Sequence, residues 1–136
     1  MSAELVVHGH GLGIPNFRWV CLGYRVEAEG KSVGISGDTI DCDGLDRLAR
    51  GADVLVQCCY LADAEITNPH AERLAKFVHT SSSVVGKIAA RNGVGTLVLT
   101  HFREKSPALM QSLEADVRRD WQGPLVLGED LGVIEV

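Results

Sequence analysis

A chain of 136 residues, 46% apolar and 23% charged, is long enough for one domain with a real core and too apolar to stay disordered. Its net charge of −5 excludes a surface that holds nucleic acid by general attraction to phosphate, while a local anion site at a metal or a helix start remains open. No run of about 18 apolar residues is present, and Glu4 stands where a signal peptide would be basic, so a cytoplasmic protein is expected.

In chain order, Leu5-Val6-Val7-His8 reads as a short strand ending in glycines, followed by a loop from Gly9 to Asn16. Val20 to Glu27 alternates, with Val20, Leu22, Tyr24 and Val26 on one face. A turn at Glu29-Gly30-Lys31 returns the chain as a strand from Ser32 to Ser36, which delivers Gly37-Asp38-Thr39. Asp43 to Arg50 is a short helix, with Asp43 as candidate N-cap and Gly51 as stop. Asp53 to Tyr60 is an almost unbroken apolar run around Val54-Leu55-Val56, the pattern of a buried strand. Pro69 opens a helix through Phe77, and Thr80 or Ser81 caps another that Asn92-Gly93 ends. Thr96 to Thr100 is a second buried strand. Ser106-Pro107 starts the last helix, with Leu109, Leu113 and Val117 on one side and a break at Gly123-Pro124. Leu125 to Leu127 and Val133 to Val136 form a closing strand pair. Strands joined through helices predict one layered α/β domain over residues 1–136.

Several side chains could hold a cation. Asp38 follows a glycine at a strand end, and a carboxylate there can bridge two metals or close its own loop. His101 follows a buried strand and offers an imidazole suited to zinc. His79 precedes a helix start, where it can meet an anionic oxygen or serve only as a neighbour of the cap. His8 and His10 are two apart and would share one face of a continuous strand, although the glycines between and after them oppose regular β structure. Cys21, Cys42, Cys58 and Cys59 lack metal-site spacing and read as free thiols. No Gly-x-Ser-x-Gly elbow is present, and an apolar setting would keep Cys58 and Cys59 inert.

As an ordered set these segments resemble the metallo-β-lactamase superfamily, closest to its ribonuclease Z and arylsulfatase-like branch. The set is Gly23-Tyr24-Arg25-Val26-Glu27, Ser36-Gly37-Asp38-Thr39, Ala52-Asp53-Val54-Leu55, His79-Thr80-Ser81 and Leu97-Val98-Leu99-Thr100-His101-Phe102. The resemblance implies half of an αββα sandwich, a mixed β-sheet with flanking helices. It implies that Asp38 bridges two metals, that His101 binds the second and that His8 binds the first, with His10 in reserve. His79 matches the histidine that assists phosphodiester chemistry, so Asp38 and His79 are the catalytic pair. The cofactor implied is zinc, with manganese as the substitute. The family's His-x-His-x-Asp-His signature has no counterpart, since Leu12-Gly13 follows His8 and His10 where Asp-His is required, and Cys58-Cys59 replaces an acidic residue. The expected protein is therefore a truncated metal-dependent hydrolase of phosphodiesters or other esters, weak or inactive alone. The alternative is a non-catalytic homodimeric module that rebuilds the sandwich by pairing apolar faces.

Overall fold

A computed structural model describes residues 1–15 and 18–136; Asn16, the last residue of the expected glycine-rich loop, lies outside them. Its six strands are β1 (Ser2–Val6), β2 (Cys21–Ala28), β3 (Lys31–Ile35), β4 (Val54–Cys58), β5 (Thr96–Thr100) and β6 (Leu125–Leu127). They form one sheet in the order β1-β2-β3-β4-β5-β6. The first three strands pair antiparallel, and β3 through β6 run parallel. β1 thus points the same way as β3, β4, β5 and β6. Chain leaving any of these five strands emerges at one edge.

Four helices, α1 (Asp43–Ala49), α2 (Pro69–Phe77), α3 (Ser82–Asn92) and α4 (Pro107–Arg118), make the crossovers that parallel strands require. The core lies between one sheet face and α1, α3 and α4. Leu55, Leu97 and Leu99 from the sheet meet Leu45, Val85, Ile88, Leu113 and Val117, all closed to solvent. Close approach depends on Gly44: a Cβ there would lie 1.8 Å from the Leu5 carbonyl oxygen, so a larger residue would push α1 off β1.

The helix starts follow the expected chemistry in two cases. Asn68 and Ser106 accept hydrogen bonds from Ala71 N–H and Leu109 N–H, each ahead of a proline at the first helical position. Gly93 ends α3 in the left-handed conformation (φ 63°). Two caps differ. Cys42, not Asp43, holds the N-cap position of α1. Ser81 holds that of α3 without a side-chain bond, and Asp63 accepts the Ser83 N–H from a distant loop instead. The last helix also stops at Arg118, before Gly123-Pro124.

One expected strand is absent. Val133–Val136 carries a β pattern but forms no strand; only β6 of the expected closing pair is present. After the turn that Gly132 N–H makes to the Glu129 carbonyl, Val133 and Ile134 line a groove over Val56, Val98 and Val126. Val136 reaches Val26 and Val33. The segment crosses the sheet face and so meets no strand edge to pair with.

Candidate metal centre

The C-terminal ends of β1, β3, β4 and β5 deliver His8, Asp38, Tyr60 and His101 to one rim of the sheet. His79, just before α3, joins them. His8, Asp38 and His79 offer ligand atoms that all lie within 4.8 Å of one another. His101 Nε2 lies 3.6 Å from Asp38 Oδ2. The imidazole centroid of His79 is 4.9 Å from that of His8 and 5.1 Å from that of His101. The structure thus brings together four of the five residues singled out in the sequence.

Local backbone explains the convergence. Gly37 takes φ 61° and has the Leu22 carbonyl oxygen 3.0 Å from where a Cβ would sit, so glycine is required on both counts and Asp38 turns outward. His101 also lies in the left-handed region (φ 62°), rare for a residue with a side chain and a conformation that concentrates at functional sites.

Thr39, fully buried, ties the segments to one another. Its hydroxyl accepts from Val7 N–H (3.2 Å) and lies 3.1 Å from the Val7 carbonyl. Its own carbonyl accepts from Thr80 N–H (3.0 Å) and from the Thr80 hydroxyl (2.7 Å). Val7, Thr39 and Thr80 are the chain neighbours of His8, Asp38 and His79. One buried hydroxyl and one carbonyl therefore hold the segments of three candidate site residues in register. Sequence reading assigned Thr39 no role of its own; its place after Asp38 at the end of an apolar strand was the available signal.

Each imidazole has a distinct electrostatic setting. His8 Nδ1–H donates to the Val78 carbonyl at 2.8 Å, which leaves the Nε2 lone pair for a cation. His79 is 8% exposed and its Nδ1 has no hydrogen-bond partner. Burial pulls its pKa down to about 4, with the neighbouring His8 and His101 adding to the effect and Asp38 opposing it. His79 is therefore neutral at pH 7. His10 stands apart: its Nδ1 accepts from His8 N–H (3.2 Å) and its Nε2–H donates to the Trp19 carbonyl (2.6 Å). Both ring nitrogens are engaged, so His10 shapes the loop and has no lone pair free for an ion.

The rim side chains are of the kind that holds a divalent metal such as zinc, in one group of three with His101 beside Asp38. Zinc–nitrogen and zinc–oxygen bonds of about 2.0–2.2 Å in a tetrahedron put ligand atoms roughly 3.4 Å apart, close to the Asp38–His101 separation. His8, Asp38 and His101 alone are fewer donors than two ions need, and His79 stands beside them. The thiols add nothing: burial raises the pKa of Cys58 and Cys59, and Cys58 Sγ is spent on Thr39 N–H and carbonyl.

No known protein-family model matches the chain. Ribonuclease Z of Mycolicibacterium paratuberculosis is 41% identical over 121 residues, which cover 85% of this chain and 42% of that protein. Ribonuclease Z of Mycobacterium tuberculosis is 36% identical over 118 residues, covering 85% and 43%. The chain spans less than half the length of these curated relatives. Among solved structures, the metallo-β-lactamase fold protein YhfI from Bacillus subtilis superposes with a TM-score of 0.73 at 18% identity, over 94% of this chain and 46% of its own. The short form of human tRNase Z gives 0.61 at 25% identity, over 87% and 38%. The six-stranded mixed sheet and its four helices match half of that fold.

Proposed function

We propose, for a chain that belongs to the metallo-β-lactamase superfamily on its ribonuclease Z branch, that the rim cluster is one side of a metal-dependent phosphodiesterase site. The convergence of His8, Asp38, His79 and His101 on one rim carries this reading. Asp38 has two oxygens and lies near both His8 and His101, so it can share an ion with either. His8 contributes Nε2, aimed by its Nδ1 bond to Val78. His101 contributes Nε2, 3.6 Å from Asp38 Oδ2. When bound there, zinc would supply Lewis acidity that polarises the scissile ester and offsets its developing charge.

His79 plays a different part. A pKa of about 4 leaves it protonated in roughly one molecule in a thousand at pH 7. It acts as a neutral hydrogen-bonding group beside the phosphoryl oxygens and holds a substrate oxygen without adding charge. The relatives named ribonuclease Z support an RNA phosphodiester as the substrate class. With a net charge of −5 the chain offers no general attraction to RNA, so affinity would come from the metal centre and from local contacts.

Zinc analysis of the purified chain tests the reading. Wild type should retain zinc and the Asp38→Ala and His101→Ala variants should lose it. A chromogenic phosphodiester should show weak or no turnover with the chain alone, because the ligand set is short for two ions. Zinc below about 0.1 per chain in wild type, unchanged in both variants, overturns the proposal.

A further inference from the structure

We propose that Tyr60, anchored by a buried Lys105–Glu65 pair, is the positioning residue that holds the imidazoles of His79 and His101 side by side. The inference rests on the metal-centre reading for its purpose and on separate geometry for its substance.

Tyr60 leaves β4 at the same rim as the four candidate ligands. Its ring stacks on His79 with centroids 4.5 Å apart and planes 21° from parallel. It also lies against His101, at 5.3 Å and 31°. One aromatic surface therefore touches both rings, whose centroids are 5.1 Å from each other. The His79 Nδ1 has no hydrogen-bond partner among the described residues, so no bond at that atom fixes the ring plane. For His8 a bond to a backbone carbonyl does that work. The restraint that His79 and His101 share is the face of Tyr60.

Tyr60 itself lies outside the strand and needs an anchor. Lys105 supplies it. The Lys105 ammonium donates to the Tyr60 carbonyl at 2.9 Å and to the carboxylate of Glu65. Its side chain is 0% exposed. An ammonium shut away from water is costly unless paired and fully hydrogen-bonded. Here both partners lie in the segment that follows β4. Glu65 turns back to accept the Ala62 N–H at 2.8 Å. Burial alone would raise the pKa of Glu65, but the bonds from Lys105 and Ala62 outweigh it and keep the carboxyl ionised. The closed circuit of Tyr60, Ala62, Glu65 and Lys105 sets the backbone from which the tyrosine ring projects. Lys105 lies four residues beyond His101, so the same pair joins the His101 segment to the Tyr60 segment.

The test uses the whole chain without metal, then with zinc. Nuclear Overhauser contacts between the His79 and His101 rings report their side-by-side placement directly. Wild type and Tyr60→Phe should show them; Tyr60→Ala and the Lys105→Met/Glu65→Gln double variant should lose them. The rings of His10 and His70 serve as controls and should not change. Zinc competition with a colorimetric chelator should give Tyr60→Phe an affinity within about 2-fold of wild type and Tyr60→Ala one at least 10-fold weaker, the scale expected for outer partners of metal ligands. Inter-ring contacts that survive in Tyr60→Ala overturn the proposal. Should the double variant fail to fold, the Tyr60→Phe and Tyr60→Ala pair decides it. If wild type takes up no zinc, the metal-centre reading fails by itself, and the ring contacts still decide the clamp.

Discussion

The two faces of the sheet are built from similar residues and live in different surroundings. On one face Leu55, Leu97 and Leu99 are closed off beneath α1, α3 and α4. On the other, Leu5 is 64% and Tyr24 40% exposed, and Leu22, Val26 and Ile35 are similarly open. Register places these side chains together, since Leu5 pairs Leu22, Tyr24 pairs Ile35 and Val26 pairs Val33. The 133–136 segment lies over part of this face, from Val98 and Val126 toward Val33, and Val54 and Val98 are buried. The lesson is that apolar alternation marks a strand's faces without saying which of them receives a cover. The open face is the kind of surface that pairs with another polypeptide, and the candidate metal centre stands on the rim where the two faces meet.

The contrast can be broken by mutation. Leu99→Ala should cost about 2–5 kcal/mol, because a fully enclosed leucine leaves a cavity among packed helices. Urea denaturation measures it, and a cost below about 1 kcal/mol would mean that the helix-covered face is not the core.

At the rim, acid should weaken the metal-free chain through His79. Its folded pKa of about 4 lies below the ordinary 6.5, so the unfolded chain binds the extra proton. The associated stability, up to about 3 kcal/mol, is complete above pH 6.5 and fades as pH falls toward 4. Denaturation midpoints from pH 7.5 to 4 check the sign, and His79→Gln should flatten the slope.

Thr39→Val keeps the shape of the side chain and removes the hydroxyl that Val7 N–H uses. A loss of about 1–2 kcal/mol is expected, largely restored by Thr39→Ser. A neutral Thr39→Val would show that the rim segments hold their register without it.

The smallest effect belongs to the open face. Leu22→Ser and Val26→Thr should change stability by no more than about 0.5 kcal/mol each. The same changes should reduce self-association seen by light scattering if two copies pair through this surface. A large destabilisation would show the face to be buried in the folded protein.

Much of this was legible along the chain. Thr96 to Thr100 and Pro69 to Phe77 hold to the residue, because a β-branched apolar run and a proline behind an asparagine are local signals. Asp38 and His101 stand where strand ends were expected, at the rim they share. The Val133–Val136 strand failed because a strand exists only where another edge accepts its hydrogen bonds. Tyr60, Glu65 and Lys105 went unnoticed because no periodicity connects residues 45 apart whose meeting depends on parallel pairing of β4 with β5.

By itself the sequence determined the element types, the apolar faces and the supply of imidazoles and carboxylate, since each depends on residues within a few positions of one another. Tertiary structure alone decided which of those groups share a site. It turned His10 into a loop brace, made Thr39 a hub and set His79 neutral beneath Tyr60. These outcomes depend on burial and on hydrogen bonds between distant segments, and neither exists until the strands align at one rim.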